Sequence, residues 1–113
     1  MRTKLRALLA VPDNTHQPLR VRSVWRRETE FGTIEKLFFL SEPGVDVPAY
    51  WCVPNRPRKP SLTFICLQGH STGMHNSIAV DRETETKPIA IQGDRDFAIG
   101  CMKRGIAALC IEQ

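Results

Sequence analysis

The sequence predicts an α/β fold: a mixed β-sheet in which an antiparallel hairpin is followed by a parallel βαβ unit. Three observations support this prediction. Two strand-forming segments flank a turn sequence at 41–44, two continuous apolar runs lie at 62–67 and 106–111, and a helical segment at 94–104 separates the runs. An antiparallel lead followed by strands that alternate with a helix is typical of a mixed α/β sheet.

The chain has 113 residues, 42% of them apolar and 25% charged, which indicates one globular domain with a modest core. We expect a lead segment at 1–20 and a folded portion at 21–113. In the lead segment, 2–10 predict a short helix that ends before Pro12, and 12–20 predict a loop. The apolar run before Pro12 is too short for a signal peptide, and no segment approaches a membrane span. We therefore expect a cytoplasmic protein with no membrane partner.

The front of the folded portion predicts three strands. Residues 21–28 alternate weakly between apolar and polar side chains. Residues 34–40 and 47–53 predict the two strands of an antiparallel hairpin, because the Pro-Gly pair at 43–44 favours a tight turn between them. Proline cannot donate to a β-ladder, so Pro48 predicts an edge or end position for the start of the second strand.

The back of the chain predicts two parallel strands. The runs at 62–67 and 106–111 are almost entirely apolar, which is typical of strands covered on both faces. Between them, 68–93 is polar and contains glycine. A loop of this length is uncommon unless it is functional.

A helix is predicted at 94–104. Asp94 is expected to cap its first turn, and Gly105 is expected to end it in a left-handed conformation. Helical spacing predicts that one face is buried, formed by Phe97, Cys101 and Met102.

The net charge of +4 comes with two clusters of basic residues. We interpret them as a solvated surface rather than a nucleic-acid site, because no aromatic residues are interleaved for stacking. A small non-catalytic α/β binding module that uses a basic face on an acidic partner is the alternative function. The clusters are Arg20, Arg22, Arg26, Arg27 and Arg56, Arg58, Lys59.

The cysteines and histidines predict no metal or other cofactor. None of the four cysteines forms a C-x-x-C motif, so a zinc ribbon is not expected. Cys66 and Cys110 lie in the apolar runs and predict buried, reduced thiols. His70 and His75 lack a nearby third ligand. The acidic residues Asp81, Glu83 and Glu85 are interpreted as a solvated loop rather than an acid–base pair.

One motif in the long loop suggests catalysis. Residues 69–73 read Gly-His-Ser-Thr-Gly, the G-x-S-x-G pattern that surrounds the nucleophile in α/β serine hydrolases. In that class an acid and then a histidine follow the serine, but only His75 follows Ser71. The order His16, Asp46, Ser71 has precedents in unrelated folds, and it is left open as a minor alternative.

A different role suits the motif better. Serine hydrolases also use a glycine-rich loop after an early strand, whose backbone N–H groups stabilise the oxyanion. The loop at 68–71 has this position, since it follows one apolar run and precedes the helix and the second run.

The order of elements resembles the N-terminal part of an α/β-hydrolase of the dienelactone-hydrolase and acetyl-xylan-esterase-like branch. The matching segments are EKLFFLSEPGVDVPAYWCVP, PSLTFICLQGH and DRDFAIGCMKRGIAALCIEQ. The resemblance implies that His70, with Ser71 as its neighbour, supplies backbone N–H groups to an oxyanion hole. We also assign Gln68, Gly69 and His75 as candidate substrate contacts, and a loop histidine without a function is the alternative for His75. Gln68 departs from the histidine usual at that position.

The resemblance implies hydrolysis of a small carboxylic ester through an acyl-enzyme, without a cofactor. In the family the nucleophile lies on the strand after the fourth, and the acid and histidine follow it. We therefore expect the chain to be a truncated fragment with an incomplete α/β-hydrolase fold. It should be inactive by itself and should self-associate through the uncovered sheet.

Overall fold

The computed structural model describes residues 1–11 and 18–112 as a mixed α/β structure. The elements, in chain order, are α1 (Arg2–Leu8), β1 (Arg22–Glu28), β2 (Gly32–Glu42), β3 (Val45–Pro54), β4 (Thr63–Cys66), α2 (Met74–Ser77), α3 (Phe97–Lys103) and β5 (Ala107–Ile111).

The five strands form one sheet in the order β1-β2-β3-β5-β4. The pairs β1–β2, β2–β3 and β3–β5 are antiparallel, and β4 pairs with β5 in parallel. The predicted mixed sheet is thus present. Because β4 and β5 are parallel neighbours, their carboxyl ends lie side by side at the same end of the sheet.

The β2–β3 pair turns at Pro43 and Gly44, and Gly44 has a φ of +78° that suits glycine. Pro48 lies inside β3 opposite Phe38, not at the start of the strand. Its carbonyl accepts the Glu112 N–H at 3.1 Å, so its nitrogen also faces the β5 side. The β5 ladder ends one position away, at the pair Ala49–Ile111. Pro48 has no N–H with which to return this bond, so the ladder between β3 and β5 ends here with a single hydrogen bond.

Helix α3 begins later than the sequence predicts. Its N-cap is Asp96, without a side-chain capping bond. Asp94 lies before the helix with a φ of +52°, so it does not cap it. The predicted end is confirmed, since Gly105 has a φ of +73° and donates its N–H to the Met102 carbonyl at 3.0 Å.

The predicted buried face of α3 is wrong for one residue. Phe97 is 37% exposed, whereas Ala98 and Met102 are buried against β5 and β3. The core continues from these two residues across the same face of the sheet. It also contains Ile34, Tyr50, Cys52, Cys66, Met74, Ile78, Val80, Ala108 and Cys110.

Strand β4 is less covered than its apolar sequence predicts. It is the end strand of the sheet, and Phe64 and Ile65 are 51% and 65% exposed. Only Cys66 of this strand is buried. Among the described residues, no element lies beyond β4. The prediction that this strand is covered on both faces is therefore wrong.

The lead segment contains the predicted helix, α1, but none of its residues is buried. Of the loop predicted at 12–20, residues 12–17 lie outside the described residues. Within the part that the structure describes, no helix is long and apolar enough to cross a bilayer.

Candidate functional site

The loop at 67–73 follows β4, and Glu112 follows β5, so both lie at the carboxyl ends of the two parallel strands. In open α/β sheets this is the usual position of a ligand site. The sequence-predicted site residues 68–71 and His75 are all in this region. The Gly-His-Ser-Thr-Gly loop is therefore the candidate site, with Glu112 beside it.

A tight turn at Gly69–Thr72 shapes the loop. The Thr72 N–H and the Thr72 hydroxyl both donate to the Gly69 carbonyl, at 3.3 Å and 2.7 Å. Ser71 has a φ of +62°, the mark of a type II turn at its third position. A Cβ at Gly69 would meet no atom within 4 Å, so the surface beside the turn is open.

His70 and Ser71 are exposed at the tip of this turn. Neither forms a hydrogen bond with any other described residue. Their backbone N–H groups therefore have no hydrogen-bond partner among the described residues, and an oxyanion donor must be unpaired in this way.

The buried side chain of Gln68 holds the loop against the interior of the fold. It is only 6% exposed, and its Nε2 donates to Ser77 Oγ at 2.7 Å and to the Arg95 carbonyl at 2.8 Å. Its Oε1 is buried without a hydrogen-bond partner among the described residues. The side chain of Gln68 thus points into the fold, where it joins the loop to α2 and to the segment before α3.

Glu112 fixes the other side of the loop. Its Oε2 accepts the Met74 N–H at 2.7 Å, and the Gly73 N–H donates to Asn76 Oδ1 at 2.8 Å. A Cβ at Gly73 would lie 2.9 Å from Glu112 Oε1 and 3.0 Å from the ring of His75. Glycine therefore lets the carboxylate and the imidazole approach the same point of the loop.

No catalytic triad forms around Ser71 among the described residues. Its hydroxyl forms no hydrogen bond there, and His75 lies half-buried in α2 without binding it. In the alternative order, Asp46 instead pairs with Arg22 at 2.7 Å. His16, the third member of that order, lies outside the described residues.

A second cluster, which the sequence interpretation missed, surrounds Glu85. Glu85 Oε1 accepts from Lys36 Nζ and from the Tyr50 hydroxyl, each at 2.6 Å. Trp25 Nε1 lies 3.4 Å from Glu85 Oε2, and the Arg27 guanidinium donates to the Glu85 carbonyl. The side chains of Lys36 and Glu85 are only 18% and 17% exposed. The interpretation of Glu85 as a solvated loop residue is therefore wrong.

The pKa values in this cluster follow from its hydrogen bonds. Burial would raise the pKa of Glu85, but the hydrogen bonds from Lys36 and Tyr50 outweigh it and hold that pKa below its ordinary value. Burial, and then the bond to Glu85, raises the pKa of Tyr50 far above its ordinary value. Glu85 is thus an ionised group that pins the loop after α2 onto the sheet.

The cysteines form part of the core. All four are free, and Cys66 and Cys110 are buried as predicted. Burial raises the pKa of the Cys101 thiol to about 11, and a hydrogen bond to Cys110, with burial, raises that of Cys66 further above its ordinary value. Protonated thiols are poor nucleophiles. Among residues 1–11 and 18–112, no group of three or more His, Cys, Asp or Glu side chains could hold a metal ion.

The basic residues are partly engaged within the protein. Arg22 is paired with Asp46, and the Arg27 guanidinium lies 4.2 Å from the centre of the Trp25 ring. The backbone N–H of Arg58 donates to the Gly105 carbonyl at 2.8 Å. In the predicted basic face, the charge of Arg22 is thus partly neutralised, and the guanidinium of Arg27 is stacked on an aromatic ring.

Comparison with known proteins supports the architecture. No family model and no curated protein matches the sequence. One similar solved structure is that of a "putative acetyl xylan esterase" from Bacteroides fragilis NCTC 9343, with a TM-score of 0.75 and 15% sequence identity. The match covers 98% of this chain and 28% of that one, so the chain spans little more than a quarter of that protein's length. At this identity the likeness shows an esterase-like α/β fold and no more.

Proposed function

We propose that the chain is the N-terminal portion of a serine α/β-hydrolase acting on carboxylic esters, and that its glycine loop provides the oxyanion hole. The observation that carries this proposal is that the exposed residues His70 and Ser71 have backbone N–H groups without a partner among the described residues. Their place at the carboxyl end of β4, and the esterase-like fold, support it.

The chemistry assigned to the loop is electrostatic. When a nucleophile attacks an ester carbonyl, negative charge develops on the carbonyl oxygen. Backbone N–H groups that are already oriented stabilise this charge, each contributing about 10²–10³-fold in rate. Gln68 and Glu112 hold the two sides of the loop, so the donors need little reorganisation.

In this proposal the loop serine is not the nucleophile. Ser71 has no base to accept its proton among the described residues. The attacking serine, its acid and its histidine would come from polypeptide other than the described residues, on strands added beyond β4. Ester substrates are small molecules, and no cofactor takes part.

Acetate can test the donors, because its carboxylate oxygens stand in for an oxyanion. A titration with acetate should shift the ¹⁵N–¹H NMR signals of Gly69, His70 and Ser71 more than others. His70→Pro removes one N–H at the second position of the turn, where proline is well tolerated. This change should weaken acetate binding by about two- to tenfold, measured from the shift of the Ser71 N–H signal. His70→Ala keeps the N–H and should bind as the native chain does.

The two variants distinguish acetate binding by the backbone N–H of His70 from binding by its side chain. Equal losses in His70→Ala and His70→Pro would assign binding to the imidazole and contradict the proposal, as would acetate shifts that avoid the loop. With p-nitrophenyl acetate we expect no turnover above buffer, unchanged by Ser71→Ala. Saturable turnover that Ser71→Ala abolishes would instead make Ser71 the nucleophile.

A further inference from the structure

Helix α1 lies outside the core and has a defined end. None of its residues is buried. The Ala10 N–H donates to the Ala7 carbonyl at 3.2 Å, and Ala10 has a φ of +49°. The Val11 N–H donates to the Arg6 carbonyl at 3.1 Å. These two bonds and the left-handed residue form a Schellman motif, so α1 is a discrete helix on the surface of the protein.

One face of α1 is apolar. At 3.6 residues per turn, Leu5, Leu8 and Leu9 fall within an arc of about 100° around the helix axis. These leucines are 54%, 76% and 65% exposed. Single exposed leucines are common on protein surfaces, but three on one face of a short helix form a contiguous apolar patch, which is typical of an interaction surface.

Basic side chains border this patch on both sides. Helical spacing places Arg2 next to Leu9, and Lys4 next to Leu8, around the helix axis. No acidic residue occurs in the first 11 positions. Long basic side chains keep their charge among lipid headgroups while the apolar face between them enters the acyl chains. The charge of α1 is therefore complementary to that of an anionic bilayer.

We propose that α1 binds the surface of a bilayer that contains anionic phospholipid, and that it lies in the plane of the interface with its leucines toward the acyl chains. Such a helix needs no membrane-spanning length, so the finding that no described helix could cross a bilayer does not oppose it. The proposal departs from the sequence expectation of no membrane partner, because that expectation considered only segments long enough to span. It is independent of the ester hydrolysis proposed above and leaves the β4 edge to the strands placed there.

The first test is co-sedimentation of the full chain with phosphatidylcholine vesicles, with or without about 30% phosphatidylserine, at about 0.1 M salt. Binding should be at least about tenfold tighter to the anionic vesicles. Arg2→Glu with Lys4→Glu should weaken that binding by about tenfold or more, because each basic residue near such a surface contributes about fivefold. Arg56→Glu with Lys59→Glu changes the net charge equally, at exposed positions outside α1, and should weaken it by less than about threefold. Equal losses in the two variants, or equal binding to both kinds of vesicle, would overturn the proposal.

The second test distinguishes a bilayer from an acidic protein as the partner. Leu5→Ser with Leu8→Ser should weaken binding to anionic vesicles by about tenfold or more, with unchanged unfolding by urea, since neither residue is buried. Leu62→Ser, at an exposed leucine outside α1, should leave binding within about twofold of the native value. Poly-L-glutamate supplies negative charge without an apolar phase, so it should bind at least about tenfold more weakly per charge. Equally tight binding to poly-L-glutamate, or no effect of the α1 leucines, would assign this face to an acidic protein and contradict the proposal.

The third test measures the orientation of the helix on the bilayer. Leu5→Trp places a fluorophore on the apolar face, and Thr3→Trp places one on the opposite face. Lipids brominated on their acyl chains should quench the first much more than the second, because the apolar face of such a helix lies about 5–10 Å into the headgroup–acyl boundary. The native chain supplies the background signal of Trp25 and Trp51. Equal quenching of the two added tryptophans, or quenching of neither, would exclude the proposed orientation.

Discussion

Glu85 receives hydrogen bonds from side chains on three adjacent strands. Trp25 of β1 is paired with Lys36 of β2, and Lys36 is paired with Tyr50 of β3, so the three side chains form a row across the sheet. The Glu85 carboxylate belongs to a loop that is distant in sequence, and it accepts hydrogen bonds from all three side chains of this row. Lys36 shares the face of the buried Ile34 by the alternation of the strand, and this was the sequence signal for such a partner, since a buried ammonium requires an acceptor.

Replacing Glu85 should destabilise the fold. Glu85→Gln keeps the shape of the side chain but removes the charge that Lys36 and Tyr50 bind, and we expect a loss of about 1–3 kcal/mol in the free energy of unfolding. Because the folded pKa of Glu85 lies below its unfolded value, its contribution is present above the unfolded pKa and is lost as the pH falls through the folded pKa. The difference between the two proteins should therefore shrink in acid.

Urea unfolding across that pH range measures this effect. Glu83→Gln is the matched control, since Glu83 lies in the same loop with an exposed side chain. It should change stability by no more than about 0.5 kcal/mol. A similar loss in both variants, or a loss in Glu85→Gln that does not depend on pH, would disprove the role assigned to Glu85.

Among the elements, α3 shows which local signals are reliable. Gly105 ends the helix as the sequence predicts, because few other residues adopt a positive φ without strain. The start is displaced to Asp96, although Asp94 is an equally good capping residue by type. Capping preferences of neighbouring aspartates are similar, so they do not determine which one begins the helix.

Two glycines with similar φ values allow steric and conformational effects to be separated. Gly44→Ala, in the hairpin turn, adds a Cβ with no atom within 4 Å, and should cost about 1 kcal/mol for the left-handed conformation alone. Gly105→Ala places a Cβ 2.6 Å from the Arg56 carbonyl oxygen. Gly105→Ala should therefore lower the free energy of unfolding by about 1–3 kcal/mol more than Gly44→Ala does. Urea midpoints at equal m-values measure both, and equal losses would contradict the close contact at Gly105.

For the molecule as a whole, the distribution of apolar surface is uneven. One face of the sheet is covered by α3 and packs into the core, whereas the β4 edge has no neighbour among the described residues. An apolar edge of this kind should bind hydrophobic dyes even when the protein is fully folded.

Binding of 8-anilinonaphthalene-1-sulfonate tests this expectation. The native chain should bind the dye while keeping the near-ultraviolet circular dichroism of its packed aromatic residues. Ile65→Lys should remove most of the binding. Val45→Lys, which changes an exposed valine at the start of β3, should leave it intact. Equal effects of the two changes would show that the dye does not bind at the β4 edge.

The sequence by itself determined the mixed α/β class, the turn at Gly44, the helix end at Gly105 and the loop between the two apolar runs. These features depend on local backbone preferences and on the spacing of apolar residues, both of which are contained in short segments. Tertiary structure alone decided that Gln68 points inward, that Glu85 is bound by Lys36 and Tyr50, and that β4 is an open edge. These features depend on contacts between residues far apart in the chain, which no local pattern specifies.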